Sequence, residues 1–325
     1  MLCIGIGAWI ANRRTDIARG AAISGSGGVW RLSRQRARMA SALVGNRFWV
    51  LGGLDASRGA RPDAETFDLT RTPRQTTRGL LSPAPLLARY DHTAQASGTD
   101  IYLIGGLSAL GQVVGTLEKL DTRSAVVTTL APMPTPRRMA HSAIYGGKIY
   151  VVGGTNTLRQ RVGTLEIYDI ATDTWKTGRA MHIARECDVA LWKGQLIVAG
   201  GYSASPQNGG VLRDVEIYDI AADRWRRAPA LPRPISAHHA VVSGDWVFFF
   251  GDYLTLSRVL ALNARTGQSR EIEAPGFTPR RHVVATSYRG RAYVMGGSTD
   301  DTLPPLDDVQ IFDLQKMRQM AQSAP

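Results

Sequence analysis

The stretch that decides the fold is Ile149-Tyr-Val-Val-Gly-Gly154, an apolar run that ends in a pair of glycines. Related stretches stand at residues 48–53, 101–106, 196–201, 247–252 and 292–297, where they read FWVLGG, IYLIGG, LIVAGG, VFFFGD and AYVMGG. The first glycines of the six stretches are 53, 48, 47, 51 and 45 residues apart. The chain therefore contains six units of nearly constant length, which indicates a fold built from repeated supersecondary units.

A second motif follows each glycine pair and ends in an acidic residue. It reads Glu-Ile-Tyr-Asp at residues 166–169 and 216–219, and a tryptophan follows in both units, at Trp175 and Trp225. In the fifth unit the motif is degraded to residues 259–263. This pattern predicts four strands per unit: strand a after an arginine-containing turn, strand b up to the glycine pair, strand c up to the acid, and strand d with the tryptophan. The glycine pair is typical of a closely packed strand end, where a turn with positive φ begins.

These motifs resemble the Kelch repeat, an apolar run with Gly-Gly followed by a Tyr/Phe-Asp strand and then by Trp. The resemblance covers about residues 28–314, nearly the whole chain. It implies an all-β fold, a six-bladed Kelch-type β-propeller with four-stranded blades. The chain is also distantly similar to the propellers of galactose oxidase and of the sialic-acid mutarotases.

The two ends of the repeat array predict how the ring closes. The sixth unit ends after Asp313 without a tryptophan strand, while the segment around Trp30 belongs to no unit. We therefore expect an N-terminal strand around Trp30 to complete the last blade and to remove the exposed sheet edges. The predicted propeller spans residues 28–315. Residues 1–27 are expected to be a leader or a disordered N-terminal segment, and residues 316–325 a C-terminal tail.

The composition excludes several classes of protein. The net charge is +12, with 39 basic residues of which five are lysines. An excess of arginine suits bidentate binding of carboxylates. It is also typical of the codon usage of a GC-rich bacterial genome. No basic stripe with interleaved aromatic residues occurs, so we expect no nucleic-acid partner. Two cysteines, Cys3 and Cys187, form neither a disulfide framework nor a cysteine-rich zinc site.

The N-terminal sequence leaves the compartment open. The apolar residues 1–11 are too few to span a bilayer, so no transmembrane segment is predicted. Arg13 and Arg14 faintly resemble a twin-arginine export signal, which favours a periplasmic or secreted protein and leaves the cytoplasm possible. We expect a monomer.

Arginines recur at a fixed distance before the first glycine of each unit. The distance is 16 residues for Arg36, Arg89, Arg137 and Arg280, and 15 residues for Arg138, Arg185 and Arg281. Because strand a starts where strand b ends, these turns share one face with the loops between strands b and c. Those loops contribute Arg58, Arg61, Arg159 and Arg161.

Such a ring of arginines favours an acidic peptide or an anionic ligand. The predicted ligand-binding residues are Arg36, Arg89, Arg138, Arg185 and Arg281. The alternative is structural, because the Kelch resemblance implies an arginine at this position that bonds to neighbouring turns.

Histidines also cluster near strand a, at His92, His141, His238, His239 and His282. Inward-facing histidines could bind a metal ion. The Kelch resemblance implies a core role for this histidine, however, so we predict no metal and no cofactor. The copper ligands of galactose oxidase, two tyrosines and two histidines, cannot be matched to this chain.

Three functions remain open. The first is a non-catalytic Kelch binding module that presents its arginines to an acidic protein segment or an anionic saccharide. The second, implied by the mutarotase resemblance, is an isomerase of mutarotase or epimerase type acting on an anionic sugar such as a sialic acid. Glu186, next to Arg185, is the candidate acid/base residue of that enzyme. The third is a purely structural role.

Overall fold

The computed structural model describes residues 29–71, 77–82, 86–205, 209–254, 257, 259–300 and 303–323. The predicted leader, residues 1–27, lies outside the described residues. Within them the chain forms an all-β, six-bladed propeller, as predicted. Strands a to d follow one another in each blade and pair antiparallel in that order.

Five blades have four described strands each, and the sixth has three. Blades 1 and 2 consist of Ala40–Val44, Arg47–Leu51, Ala64–Asp68 and Leu80–Ser82, and of Thr93–Ser97, Asp100–Ile104, Leu117–Asp121 and Val127–Leu130. Blades 3 and 4 consist of His141–Tyr145, Lys148–Val152, Glu166–Asp169 and Thr174–Thr177, and of Ala190–Trp192, Gln195–Ala199, Val215–Asp219 and Arg224–Ala228. Blades 5 and 6 consist of His239–Ser243, Trp246–Phe250, Val259–Asn263 and Ser269–Ile272, and of Val284–Tyr288, Arg291–Met295 and Val309–Asp313.

Short two-residue pairings tie the arginine turns to the loops after the glycine pairs. These are Arg36–Ala37 with Leu54–Asp55, Arg89–Tyr90 with Leu107–Ser108, and Arg137–Arg138 with Thr155–Asn156. In blade 4, Tyr202–Ser203 pairs with Gly210–Val211, and Glu186 forms a bridge to Tyr202. Both kinds of loop therefore lie on one face, which we call the arginine-turn face.

The last four residues of strand b are apolar in every blade, and they are buried on both sides. In blade 2, Ile101 and Leu103 pack in the core shared with blade 1, and Tyr102 and Ile104 pack in the core shared with blade 3. Successive side chains of a strand point to opposite faces of the sheet, so alternate residues fill the two neighbouring cores. The unbroken apolar run before each glycine pair follows from this position.

The aromatic residues of strands c and d hold the outer edge of a blade. In blade 3 the rings of Tyr168 and Trp175 lie 5.1 Å apart. The Tyr168 hydroxyl donates to Asp173 (2.8 Å), and Trp175 Nε1 donates to the carbonyl of Ala131 (2.8 Å) in the chain that leads out of blade 2. The acid at the end of strand c, Asp169, accepts the backbone N–H of Ala171 (3.0 Å) and so fixes the turn into strand d.

The N-terminal strand was expected to complete the last blade, and it lies between that blade and the first, with a pairing that differs from expectation. Trp30–Arg31 forms a parallel ladder with Thr77–Arg78 of blade 1. It meets blade 6 through a bridge from Arg31 to Asp308 and a hydrogen bond from Leu32 N to the carbonyl of Asp307 (2.7 Å). Two residues are too few to pair along the whole of strand c, so side chains add to these backbone bonds: Trp30 and Leu32 lie in a core formed by blades 1 and 6.

A helix follows blade 6 directly, over Leu314–Ser323, where the sequence analysis expects a tail from residue 316 onward. Asp313 caps it by accepting the N–H groups of Gln315 (2.9 Å) and Lys316 (3.1 Å). Its buried residues are Leu314, Met317 and Ala321, at the three- and four-residue spacing of an amphipathic helix. They pack in the core shared by blades 5 and 6. In the described part of the chain, no helix has the length and apolar character needed to cross a membrane.

Candidate functional site

Five blades each bury one arginine at the start of the turn before strand a. These side chains have no solvent exposure; they are Arg36, Arg89, Arg137, Arg185 and Arg280. In blade 3, Arg137 Nη1 donates to the carbonyls of Gly153 (3.1 Å) and Thr164 (3.0 Å), and Nη2 lies 2.9 Å from Glu166 Oε2. The equivalent arginines pair with Glu65, Glu118, Glu216 and Asp308. The buried arginine therefore ties its own turn to the glycine pair and to strand c of the same blade.

Three of the predicted ligand-binding residues, Arg36, Arg89 and Arg185, belong to this buried set. A ligand could reach them only by breaking a buried ion pair and the bonds to the glycine carbonyl, which is strongly unfavourable. Their surroundings support the structural alternative, and we leave these three out of the site proposed below.

In blade 5, other residues tie the turn before strand a to the rest of the blade. Ile235 stands where the other blades have arginine, and Asp252 replaces the second glycine. Arg233 pairs with the buried Asp252 (2.6 Å) and with Glu271 of strand d (2.6 Å). The sequence analysis missed this exchange, although its signal was there: an acid stands in place of the second glycine, and an arginine, Arg233, lies two residues before the position that lacks one.

A ring of backbone hydrogen bonds surrounds the mouth of the channel. It runs through residues that have φ of 52 to 58° and lie two positions after the buried arginine or, in blade 5, after Ile235; they are Arg38, Asp91, Met139, Ala237 and His282. The bonds run from Asp91 N to Arg38 O (2.9 Å), Met139 N to Asp91 O (2.8 Å), Arg38 N to His282 O (3.3 Å) and His282 N to Ala237 O (2.8 Å). Each bond joins neighbouring blades, so the ring holds blades 5, 6, 1, 2 and 3 together.

Blade 4 departs from this ring because its turn is one residue shorter. Arg185 precedes the glycine whose carbonyl it binds by 15 residues, whereas the other buried arginines do so by 16. Cys187 does not have a positive φ, and among the described residues no backbone bond of this ring joins it to Met139 or Ala237.

The side chain of Asp188 makes the connection instead. Its Oδ1 lies 2.6 Å from His141 Nδ1 of blade 3, and its Oδ2 accepts the N–H of Ala240 of blade 5 (2.5 Å). His239 Nδ1 lies 4.0 Å from the same Oδ2, and the rings of His141 and His239 are 5.8 Å apart. One carboxylate thus links three blades at the channel mouth.

The protonation of this cluster is set by burial and by the carboxylate. Burial disfavours the charged form of His141, but the Asp188 carboxylate outweighs it, so the pKa of His141 is raised. Burial also opposes the charge of Asp188, yet His141 and His239 hold the pKa of Asp188 below its ordinary value. Burial lowers the pKa of His239, and it lowers that of the neighbouring His238 to about 4.

A cavity of about 480 Å³ opens at the arginine-turn face above this cluster. Three arginines (Arg38, Arg138 and Arg161), three acids (Asp91, Glu186 and Asp188) and the rings of Tyr202 and Tyr253 line it. Below it lies the channel, about 340 Å³, lined by strand a of the blades, and His92, His141 and Asp188 border both spaces. The cavity is therefore the mouth of the channel, and we call it the mouth cavity.

The three arginines of the mouth cavity pair with two carboxylates, of which Asp91 is buried. Arg38 Nη1 is 3.0 Å from Asp91 Oδ1 and Arg138 Nη1 is 3.3 Å from Asp91 Oδ2, while Arg161 Nε is 3.3 Å from Glu186 Oε1. The side chains of Arg38 and Arg138 are 22% and 31% exposed, against 4% for Asp91. Because three arginines share two carboxylates and Asp91 is the more buried partner of its pairs, these side chains give the mouth a positive charge.

The remaining predicted site residues lie at or beside this cavity. Arg138 lines it as expected. Arg281 is buried, and its guanidinium carbon lies 4.0 Å from the centre of the Tyr253 ring. Glu186 lines the cavity, accepts the Thr155 hydroxyl (2.5 Å) and pairs with Arg161. The 16- and 15-residue spacing did not include Arg38; its signal was the position two residues after a buried arginine.

Fold and site define a six-bladed β-propeller whose channel opens through an arginine-lined mouth. The model of one protein family, the Attractin/LZTR1 beta-propeller, matches residues 48–258. The chain belongs to that family, which is of Kelch type. No curated protein matches the chain.

Proposed function

We propose that the protein is a non-catalytic binding module whose arginine-turn face binds an acidic segment of a protein partner. The observation that carries this proposal is the position of Arg38, Arg138 and Arg161 around the mouth cavity, where the three guanidinium groups share two carboxylates, the buried Asp91 and Glu186. Partly exposed guanidinium groups can still donate to a second carboxylate, and they bind it bidentately. The net charge of +12 would accelerate the approach of an acidic partner.

Exposed leucines on the same face favour a protein over a free sugar. Leu110 and Leu158 each lie five residues after the first glycine of their blades, at the tips of the loops between strands b and c, and are 85% and 74% exposed. Leu254 is 61% exposed in the corresponding loop of blade 5. Apolar tips around a cationic mouth match a partner segment in which acidic and apolar side chains are mixed.

The binding test uses fluorescence anisotropy with a labelled peptide that contains glutamates and interspersed leucines. We expect binding that weakens as ionic strength rises. Arg138→Ala should weaken it about tenfold, since hydrogen bonds to charged groups contribute about 1.5–3 kcal/mol. Arg226→Ala is the matched control because it removes the same charge from an exposed position on strand d of blade 4, away from the mouth. Equal losses in the two variants would mean that only the net charge matters, and the proposed site would be wrong.

A second peptide, with serines in place of the leucines, tests the role of the apolar tips. We expect it to bind the wild-type protein more weakly than the leucine-containing peptide does. A Leu158→Ser variant should bind the two peptides equally. Identical affinities of the two peptides for the wild type would remove the leucines from the proposal.

One observation favours the enzymatic alternative: Glu186 lies in the mouth cavity, where a sugar acid could meet both it and Arg138. Against this, Glu186 Oε1 is engaged by Thr155 and Arg161. NMR exchange between the anomers of N-acetylneuraminic acid is the direct test. Acceleration by the wild type that Glu186→Gln abolishes would support the mutarotase alternative, and unchanged exchange would exclude it for this sugar.

A further inference from the structure

We propose that the channel mouth holds a divalent transition-metal ion bound by His141, Asp188 and His239. The ligand atoms of these three side chains all lie within 4.8 Å of one another. Ligands about 2.1 Å from a common ion are about 3–4 Å apart, so small side-chain rotations would bring all three onto one ion. Two imidazoles and one carboxylate are a ligand set that leaves coordination positions open.

The three ligands come from the starts of strand a in three consecutive blades. His141 and His239 each lie 12 residues before the first glycine of their blades, and Asp188 has the same spacing to Gly200. This spacing runs through the hairpin of strands a and b, whose register is the same in blades 3, 4 and 5, so Asp188 lies level with the two histidines. The turn that leads to Asp188 is one residue shorter than its counterparts, and such departures from a repeat are expected at functional sites.

Unpaired nitrogen atoms support a ligand at this position. His239 Nδ1 is shielded from solvent and has no hydrogen-bond partner among the described residues. The same holds for both ring nitrogens of His238 and of His92, which are about nine-tenths buried or more and border the same cavities. Buried polar atoms without partners are uncommon in proteins, so several around one space indicate that something polar fills it.

The surroundings fit a metal ion in two further ways. Asp188 is held in place by the N–H groups of Val189 (2.8 Å) and Ala240 (2.5 Å), as outer-shell bonds hold metal-binding carboxylates. The side chains of His141 and His239 are 31% and 21% exposed, so an ion can enter from the channel. Cys187 packs in the core of blades 3 and 4, which leaves an N/O ligand set suited to Zn²⁺, Co²⁺, Ni²⁺ or Cu²⁺ rather than to Ca²⁺.

The test uses metal-free, untagged protein titrated with Zn²⁺ in a calorimeter and with Co²⁺ in a spectrophotometer. We expect one ion per chain and visible Co²⁺ bands typical of nitrogen ligation. His141→Ala and His239→Ala should each weaken binding by more than about 100-fold, since loss of even an outer-shell partner costs 10–100-fold. His182→Ala, which removes a half-exposed histidine outside the channel, should bind like the wild type.

A second measurement does not depend on whether the variants fold. In ¹⁵N-histidine spectra of the wild type, Zn²⁺ should shift the ring nitrogens of two histidines, and assignment should place them at positions 141 and 239. No saturable binding, binding equal in all the variants, or shifts at other histidines would each overturn the proposal. Because the peptide test above is done without added metal, failure of this site would leave the proposed function untouched.

Discussion

At the scale of single residues, neighbouring arginines in one turn have opposite roles. Arg137 is fully buried against Glu166, while the adjacent Arg138 reaches the mouth cavity. The sequence located the turn correctly but could not separate the two positions. The distinction depends on which side chain faces the acid of strand c, and that follows from the geometry of the blade.

We predict that Arg137→Ala lowers the free energy of unfolding by about 3–5 kcal/mol, because it leaves Glu166 buried without its counter-charge. The double variant Arg137→Met/Glu166→Leu should lose distinctly less, since both charges are gone. Urea unfolding followed by circular dichroism measures both. If the double variant is less stable than the single one, the ion pair itself is not what the site requires.

A second residue-scale prediction concerns Cys187. Burial raises the pKa of its thiol to about 12, so at pH 8 only about one molecule in 10,000 carries the reactive thiolate. In a Cys3→Ser background, the folded protein should not react with a thiol reagent such as DTNB, and the urea-unfolded protein should react fully. Rapid labelling of the folded protein would show that the core around Cys187 opens readily.

At the scale of elements, strands b and c could be predicted from the sequence because each has a local signature. The apolar run before the glycine pair marks a strand buried on both sides, and the final acid marks the turn after strand c. The helix Leu314–Ser323 was missed because it is only 10 residues long and follows a strand without any loop. The Arg233–Asp252 pair was missed because its partners lie outside the repeat pattern.

The glycine pair gives a prediction at this scale. Gly153 has φ of +67°, and an added Cβ would lie 2.6 Å from the carbonyl oxygen of Arg185 in the next blade. Gly146→Ala is the matched control, because that glycine has φ of +58° and no atom within 4 Å of an added Cβ. The control should cost about 1–2 kcal/mol for the left-handed backbone alone. Gly153→Ala should cost clearly more in the same urea experiment, and an equal cost would mean that the blades separate easily.

At the scale of the whole molecule, the six blades are joined into a ring by different contacts in different parts of the ring. Backbone bonds join the blades on one side of the mouth, and the Asp188 side chain joins them on the other. The sequence predicted that the N-terminal segment closes the ring, but it did not predict the strand with which this segment pairs. A sequence does not reveal how few residues of a strand will find a partner. In the sequence, the two histidines among the candidate metal ligands were recognised only as separate residues. They lie close to Asp188 because the propeller brings strand a of three blades together around the channel.

The core between the last and the first blade leads to a prediction for the N-terminal strand. Leu32 is fully buried between blades 1 and 6. Leu32→Ala should cost about 2–5 kcal/mol, as for a leucine in a protein core. Val29→Ala, three residues earlier at a 39% exposed position, should change the stability by less than about 0.5 kcal/mol. Similar, small effects of both changes would show that the ring does not need this segment.

The shortened turn of blade 4 has a consequence for how any ligand on the axis would be oriented. Six identical blades would offer an axial ligand six equivalent orientations related by rotation. The shorter turn of blade 4 and the exchanged residues of blade 5 make the sectors different, and Asp188 lies on one side of the mouth with the Arg38–Asp91–Arg138 cluster on the other. These differences give a nearly symmetric ring a defined direction, so that a bound partner would have one rotational setting rather than six.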